Sequence, residues 1–193
     1  MNNQKTRLFI ARVLSIMMII LIMISVGNPH VVTDIIGFVL IVIAGVGRIW
    51  SAAYISGFKS GKVVKIGPYS MVRNPLYFFS LLGFIGIGFV FGSIIVTALL
   101  VFVFFASHWS TIKFEENKLR DLFGQEYDDY YKITPRLCPK FSLFYNPETI
   151  EFYPVKFTRT LIEATYLIFT YGAVKLIVWL HEIEILPNLV HLY

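Results

Sequence analysis

The sequence contains little of what a soluble domain needs. Charged residues make up only 15% of the 193, there is a single cysteine, Cys138, and there are four histidines. One thiol excludes an internal disulfide and a cysteine-based metal site. The histidines are scattered and form no metal-binding motif. Internal repeats and low-complexity linkers are also missing, which favours a single domain over residues 1–193.

Apolar residues dominate the sequence instead. Hydrophobic residues make up 56% of the chain, and the mean hydropathy is +0.69, a profile typical of integral membrane proteins. A membrane-spanning helix needs about 20 apolar residues. Segments 8–26, 31–49 and 160–180 meet this requirement. Segment 8–26 is longer than a signal-peptide core and lacks a cleavage site, so we expect it to be retained.

A fourth apolar segment, 76–109, is too long for one span. As a single helix it would be roughly 50 Å long, whereas the hydrocarbon core is about 30 Å thick. We therefore predict a helical hairpin with arms 76–90 and 93–109 that turns at Phe91 and Gly92. The predicted fold is an all-α polytopic membrane protein with about five transmembrane helices. Its cytoplasmic segments, 56–75 and 110–159, include a short helical part packed on the spans.

The positions of the basic residues predict the orientation of the spans. Loops that face the cytoplasm are enriched in Lys and Arg. With five spans, all 17 basic residues except Lys175 fall on one side. We therefore expect the amino terminus and both polar stretches described below to be cytoplasmic. The net charge of +5 then indicates contact with anionic membrane lipids. Nucleic acid is not expected as a partner, because the basic residues flank spans and form no stripe.

Two short polar stretches, 67–77 and 115–136, adjoin the apolar segments. Charged groups beside a bilayer are costly and call for a functional explanation. On a helix that continues from the hairpin, Glu115 and Glu116 fall on the apolar face. They either pair with Lys118 and Arg120 on a solvated surface or line a pocket for a cationic or amine-bearing ligand.

The first polar stretch contains Arg73, Asn74 and Pro75. Asn is a good N-cap and Pro fits the first helical turn, so Asn74 and Pro75 could simply start the third span. Arg73 could be a cytoplasmic topology charge. Capping does not account for Tyr69 or Tyr77, although aromatic residues are also common at membrane interfaces.

The second stretch continues with a predicted helix end at Phe123 and Gly124. Tyrosines at one-turn spacing follow, at positions 127, 130 and 131. Such a face could hold a cation or stack on an aromatic base, or it could be ordinary membrane-surface tyrosine. Arg136, held after a proline, could form a forked interaction with a carboxylate. It could equally be another cytoplasmic charge.

The ordered combination of these pieces is more specific than any one of them. Between residues 49 and 140 the sequence contains Gly-Pro-Tyr, Arg-Asn-Pro-x-Tyr, an apolar hairpin, Glu-Glu, Phe-Gly-x-x-Tyr-x-x-Tyr and Pro-Arg. This order resembles the superfamily of isoprenylcysteine carboxyl methyltransferases and phospholipid methyltransferases. The resemblance implies a small polytopic enzyme that uses S-adenosylmethionine.

The resemblance also implies a set of site residues. Glu115 or Glu116 would meet the ammonium or adenosine part of the cofactor, Arg73 or Arg136 its carboxylate, and the tyrosines its ring or sulfonium. The expected catalytic residues are Arg73, Asn74, Glu115 and Glu116. The expected cofactor-binding residues are Tyr69, Arg73, Pro75, Tyr77, Glu115, Glu116, Tyr127, Tyr131 and Arg136. No metal site is expected.

Asn74 departs from the carboxyl methyltransferase pattern, which usually has His at this position. Lipid-amine methylating relatives can have Asn. The acceptor therefore stays open among a prenylcysteine carboxylate, a lipid amine, a thiol and an isoprenoid acid. An amine would have to lose a proton, for which Glu115, Glu116 and His108 are candidates, although His108 is better explained as an interfacial residue.

Two other functions stay open at this point. A membrane reductase that uses NADPH has a similar build, and Lys59, Lys62 and Lys65 could bind its phosphates, but the paired glutamates suit a polyanion poorly. A non-enzymatic membrane adaptor is the other. Membrane lipids and a lipophilic or lipid-modified substrate are the expected partners.

Overall fold

The computed structural model describes residues 2–56, 61–151 and 153–192. In these residues the long helices are α1 (Asn2–Ile24), α2 (Val31–Ile55), α4 (Pro75–Phe91), α5 (Ile94–Phe123) and α7 (Pro154–Glu182). Two short helices, α3 (Pro68–Met71) and α6 (Gln125–Ile133), and a 3-10 turn at Phe141–Leu143 lie between them. Gly57 and Lys59 lie outside the described residues.

The all-α membrane fold is confirmed, and each predicted span overlaps one of the five long helices. By length and hydropathy, Val31–Ile55, Ile94–Phe123 and Phe157–Glu182 can each cross a membrane, while the apolar helical segments Arg12–Ile24 and Pro75–Phe91 are shorter. Several helices extend beyond the predicted limits: α2 continues to Ile55, and α7 begins at Pro154. The chain is an integral membrane protein.

The hairpin turns where the sequence predicted. Gly92 ends α4 with a φ of 78°, a left-handed conformation that favours glycine. Ser93 then caps α5, because its Oγ accepts a hydrogen bond from the Val96 amide at 3.1 Å. α5 continues without a break to Phe123 and so carries Glu115 and Glu116 on the same rod as the membrane-embedded residues.

One small element was not predicted. Strand β1 (Ser25–Val26) pairs in parallel with β2 (Val190–His191), with Ser25 opposite Val190. This pairing ties the end of the chain to the exit of α1. The apolar core lies among the long helices and includes Ile22, Ile41, Phe91, Leu100 and Val174.

Helices α2 and α4 pack closely because glycines face each other. A Cβ added at Gly86 would lie 2.7 Å from the Gly37 carbonyl oxygen and 2.9 Å from Ile41 Cγ1. A Cβ at Gly88 would lie 2.3 Å from Thr97 Oγ1. The glycines of the hairpin therefore serve close helix approach.

We expect Gly86→Ala to destabilise the protein, because the added methyl group meets backbone across the α2–α4 contact. Overpacking of this kind costs about 1–3 kcal/mol. Gly172→Ala is the matched control, since no atom lies within 4 Å of its added Cβ. Thermal unfolding in detergent should show a lower midpoint for Gly86→Ala only, and equal midpoints in the two variants would contradict this packing.

Candidate active site

The first polar stretch folds as a compact loop that returns the chain to the membrane. Gly67 has a φ of 57° and precedes α3. Its amide donates to the Tyr145 carbonyl at 2.8 Å, and the Tyr145 amide donates to Ser70 Oγ at 3.0 Å. The Lys140 amide donates to the Met71 carbonyl at 3.0 Å. The segment after α6 thus folds back onto this loop, as the sequence predicted.

Arg73 is fixed by backbone and side-chain contacts to the same segment. Its amide donates to the Pro135 carbonyl at 2.8 Å. Its guanidinium donates from Nη1 to the carbonyls of Tyr131 at 2.9 Å and Thr134 at 2.5 Å. The guanidinium carbon lies 3.9 Å from the centre of the Tyr131 ring. Arg73 is therefore a structural part of the polar region and not simply a charge that sets the orientation of the spans.

Glu116 is the centre of the polar network. Its carboxylate accepts from Arg73 Nε at 3.1 Å, Asn74 Nδ2 at 2.9 Å and Arg136 Nη2 at 2.8 Å. The side chains of Glu116 and Arg73 are only 4% and 6% exposed. The alternative of surface pairing with Lys118 and Arg120 is wrong for Glu116. Arg136 forms the forked contact expected of it.

The side chain of Asn74 does not cap α4, contrary to the capping alternative. It does stand at the N-cap position of α4, with Pro75 in the first turn, but its side chain makes no capping hydrogen bond. Its Nδ2 donates instead to Glu116 and, at 3.2 Å, to the Arg136 carbonyl. Asn74 therefore joins the start of α4 to the buried carboxylate.

The tyrosines of α6 pack against the loop that contains Tyr69 and Arg73. Tyr127 is 1% exposed, and burial raises its pKa to about 12, so its phenol is neutral at physiological pH. The Tyr130 hydroxyl donates to the Tyr69 carbonyl at 2.7 Å. The Tyr131 ring lies under Arg73 and also 4.6 Å from the Arg120 guanidinium carbon.

A cavity of about 370 Å³ opens beside this network. This volume falls within the usual range for small-molecule sites, roughly 300–1,000 Å³. Seven of the predicted site residues line it: Tyr69, Arg73, Asn74, Pro75, Tyr77, Glu115 and Tyr127. The other three predicted residues, Glu116, Tyr131 and Arg136, are not among the lining residues. They stand behind the wall, in contact with Arg73 or with one another.

Several other residues that line the cavity are not among the predicted site residues. These are chiefly Lys62, Val63, Val64, Phe114, Lys118 and Leu119, while Tyr130 also lines the cavity and belongs to the tyrosine face that the sequence indicated. The helical spacing of α5 holds a signal for two of them, because Lys118 and Leu119 follow Glu115 by three and four residues and so share its face. The cavity therefore combines charged groups with an apolar surface.

Glu115 and Tyr77 connect the two arms of the hairpin at the cavity wall. The Tyr77 hydroxyl donates to Glu115 Oε2 at 3.2 Å. The Tyr77 ring also packs edge-on against His108, with ring centroids 5.6 Å apart. His108 is half-buried and lies 3.0 Å from the Phe104 carbonyl through Nδ1. It does not line the cavity.

Tyr69 supplies a polar atom whose partner is missing. Its hydroxyl is buried, and among the described residues no group bonds it. Burial raises the pKa of Tyr69, so the hydroxyl keeps its proton and can donate. An unsatisfied buried hydroxyl is costly, and this one belongs to a residue on the cavity wall. A bound molecule with a hydrogen-bond acceptor fits this position.

Comparison with known proteins assigns the middle part of the chain to a family. The profile of the phospholipid methyltransferase family matches residues 32–126. This stretch of the chain belongs to that family. It includes α2, the hairpin, Arg73 and both glutamates, in agreement with the resemblance seen in the sequence.

Two curated relatives are similar over a longer stretch. The nickel-cobalt-cadmium resistance protein NccN of Alcaligenes xylosoxydans xylosoxydans is 37% identical over 131 residues, which is 68% of this chain and 61% of that protein. The cobalt-zinc-cadmium resistance protein CzcN of Cupriavidus metallidurans is 35% identical over 130 residues, 67% of this chain and 60% of that protein. The match thus spans about three fifths of these relatives. No solved structure matches the chain.

We expect Glu116→Gln to destabilise the protein strongly, because it leaves Arg73 and Arg136 without their shared counter-charge. Breaking a buried ion pair on one side costs about 3–5 kcal/mol. Asp128→Asn is the control, since its pair with Arg120 is more than a third exposed on both sides and contributes about 0–1 kcal/mol. Similar thermal midpoints in detergent for the two variants would show that Glu116 does not hold the loop.

Proposed function

We propose that the protein transfers a methyl group from S-adenosylmethionine to a lipophilic acceptor at the cytoplasmic face of the membrane. The observation that carries the proposal is the cavity beside the buried network. It brings Arg73 and Glu115, 42 residues apart in the chain, onto one wall together with Tyr69 and Tyr77. Family membership supplies the reaction class.

The residues on the wall fit the groups of this cofactor. S-adenosylmethionine carries a carboxylate, an ammonium, a sulfonium and an adenine ring, and when bound it supplies an activated methyl group. Arg73 suits the carboxylate, because its hydrogen bonds to the described residues use Nε and Nη1 and leave Nη2 to donate. Glu115 suits the ammonium, and the unpartnered Tyr69 hydroxyl can donate to an acceptor atom. Glu116 and Arg136 act indirectly by holding Arg73.

The apolar part of the wall suits the acceptor. Val63, Val64, Leu76, Phe114 and Leu119 line the same cavity as the charged groups. A lipophilic molecule can therefore lie against them with its reactive atom toward the polar wall. Exclusion of water and correct alignment of the reacting atoms lower the barrier to methyl transfer without an acid or base.

We expect S-adenosylmethionine to raise the thermal midpoint of the purified protein, since a ligand that binds only the folded state stabilises it. Glu115→Gln should weaken this protection by about tenfold or more in apparent affinity, the usual effect of a lost charge-assisted hydrogen bond. Asp121→Asn, an exposed carboxylate on the same helix, should leave it unchanged. Protection by NADPH but not by S-adenosylmethionine would contradict the proposal.

Methyl transfer can be tested without knowing the acceptor, because a membrane extract supplies many lipids at once. Membrane extract incubated with the purified protein and methyl-deuterated S-adenosylmethionine should yield a lipid product in which a CD3 group from the cofactor replaces one hydrogen of the precursor, a change that mass spectrometry detects. Tyr69→Phe should bind the cofactor less tightly while still folding, because it removes only the unpartnered hydroxyl. The absence of any labelled lipid in extracts from a bacterium that contains the protein would contradict methyl transfer to lipids.

The orientation is also part of the proposal, and Cys138 allows a direct measurement. It is the only cysteine in the sequence and is exposed, in the segment predicted to be cytoplasmic. A membrane-impermeant maleimide should label it in inverted vesicles and leave it unlabelled in spheroplasts. The double variant Cys138→Ser with Glu182→Cys, which moves the thiol to the end of α7, should give the reverse pattern. Labelling of Cys138 in spheroplasts would contradict the orientation.

A further inference from the structure

Arg48 is a charged residue in an otherwise apolar part of α2. It follows Val31 by 17 residues, about 26 Å along the helix, and precedes the end of α2 at Ile55 by seven. With a hydrocarbon core about 30 Å thick, this position lies at the edge of the membrane interior. A charged residue here is expensive and marks a functional site by default.

The contacts of Arg48 leave part of its guanidinium unused. Nη1 donates to Ser80 Oγ on α4 at 2.5 Å, and Nη2 lies 3.6 Å from Glu163 Oε2 on α7. A guanidinium has five N–H donors. Within the described part of the chain, no further acceptor bonds it. Its side chain is 21% exposed, so the remaining donors can be reached from outside.

Glu163 is shared between two arginines. Its Oε1 accepts from Arg159 Nε at 3.2 Å, while Oε2 faces Arg48. Glu163 is 46% exposed and Arg159 is 86% exposed. The cluster of Arg48, Arg159 and Glu163 therefore carries one excess positive charge at the surface where α2 and α7 meet.

An apolar stripe continues from this cluster into the membrane. Ile162, Tyr166 and Phe169 follow Arg159 at intervals of three, four and three residues, so they share its face of α7. They are 52%, 64% and 69% exposed. A cationic cluster at the membrane edge above an apolar stripe matches the two parts of a phospholipid.

We propose that Arg48 and Arg159 bind the phosphate group of an anionic phospholipid whose acyl chain lies along α7. Arginine binds phosphate through parallel N–H donors, and anionic headgroups supply this group at the membrane surface. The Arg48, Ser80, Arg159 and Glu163 side chains do not line the cavity of the candidate active site. The lipid site is therefore separate from the cavity, and its test does not depend on whether the protein transfers methyl groups.

Native mass spectrometry of the whole protein in detergent tests the proposal with three probes. Both lipids carry a phosphate group, but the choline cation of dioleoylphosphatidylcholine is repelled by the excess positive charge of the cluster. Dioleoylphosphatidylglycerol should therefore bind at least about tenfold more tightly, the scale of a charge-assisted interaction. Inorganic phosphate should compete only weakly, because it lacks the acyl chains. Equal binding of the two lipids, or full displacement by inorganic phosphate, would overturn the lipid site.

Three variants distinguish specific lipid binding at Arg48 from general attraction of anionic lipids to a basic protein. Arg48→Met should abolish the preference for phosphatidylglycerol, while Arg12→Met, which removes an exposed arginine from α1, should keep it. Glu163→Gln should tighten phosphatidylglycerol binding several-fold, since it removes the competing carboxylate, and a misfolded variant would not gain affinity. Equal loss in Arg48→Met and Arg12→Met, or no gain in Glu163→Gln, would contradict the proposal.

Discussion

The structure of the polar region depends on one buried carboxylate. Glu116 reaches out of a membrane helix and accepts hydrogen bonds from Arg73, Asn74 and Arg136, which lie 43, 42 and 20 residues away in the chain. An isolated carboxylate could not be buried at this depth. Two guanidinium groups against one carboxylate leave one excess positive charge, and Arg73 brings it to the cavity wall, where it favours an anionic group of a ligand.

The two adjacent glutamates have different roles. Glu116 is saturated by protein donors and holds the loop, whereas Glu115 faces the cavity beside Tyr77. Successive residues on a helix point about 100° apart, so one residue step separates the structural carboxylate from the one that can meet a ligand. Burial raises the pKa of Tyr69 and of Tyr127, so these two side chains add rings and hydroxyl groups without adding charge.

The sequence predicted the helices and the hairpin turn at Gly92, because apolar length and glycine chemistry are local properties. The assembly of both polar stretches at one place was implied by the family resemblance and not by local pattern. The sequence did not predict which of the two glutamates is buried, since the helical pattern places both on one face. It left open whether Asn74 is a helix cap or a site residue, and the contact with the distant Glu116 decides against a side-chain cap. Lys62 and Val64 could not be assigned to the cavity, because their position depends on the return of the loop.

The central claim is that the cavity lined by residues 62–77 and 111–130 holds S-adenosylmethionine. Ultraviolet cross-linking of methyl-tritiated cofactor to the purified protein, followed by peptide mapping, tests it most directly. The account predicts label in peptides that contain Tyr69 or Tyr127, and loss of that label when unlabelled cofactor is added in excess. Label confined to α1, to α7 or to the segment after Lys140, or label that excess cofactor does not displace, would contradict it.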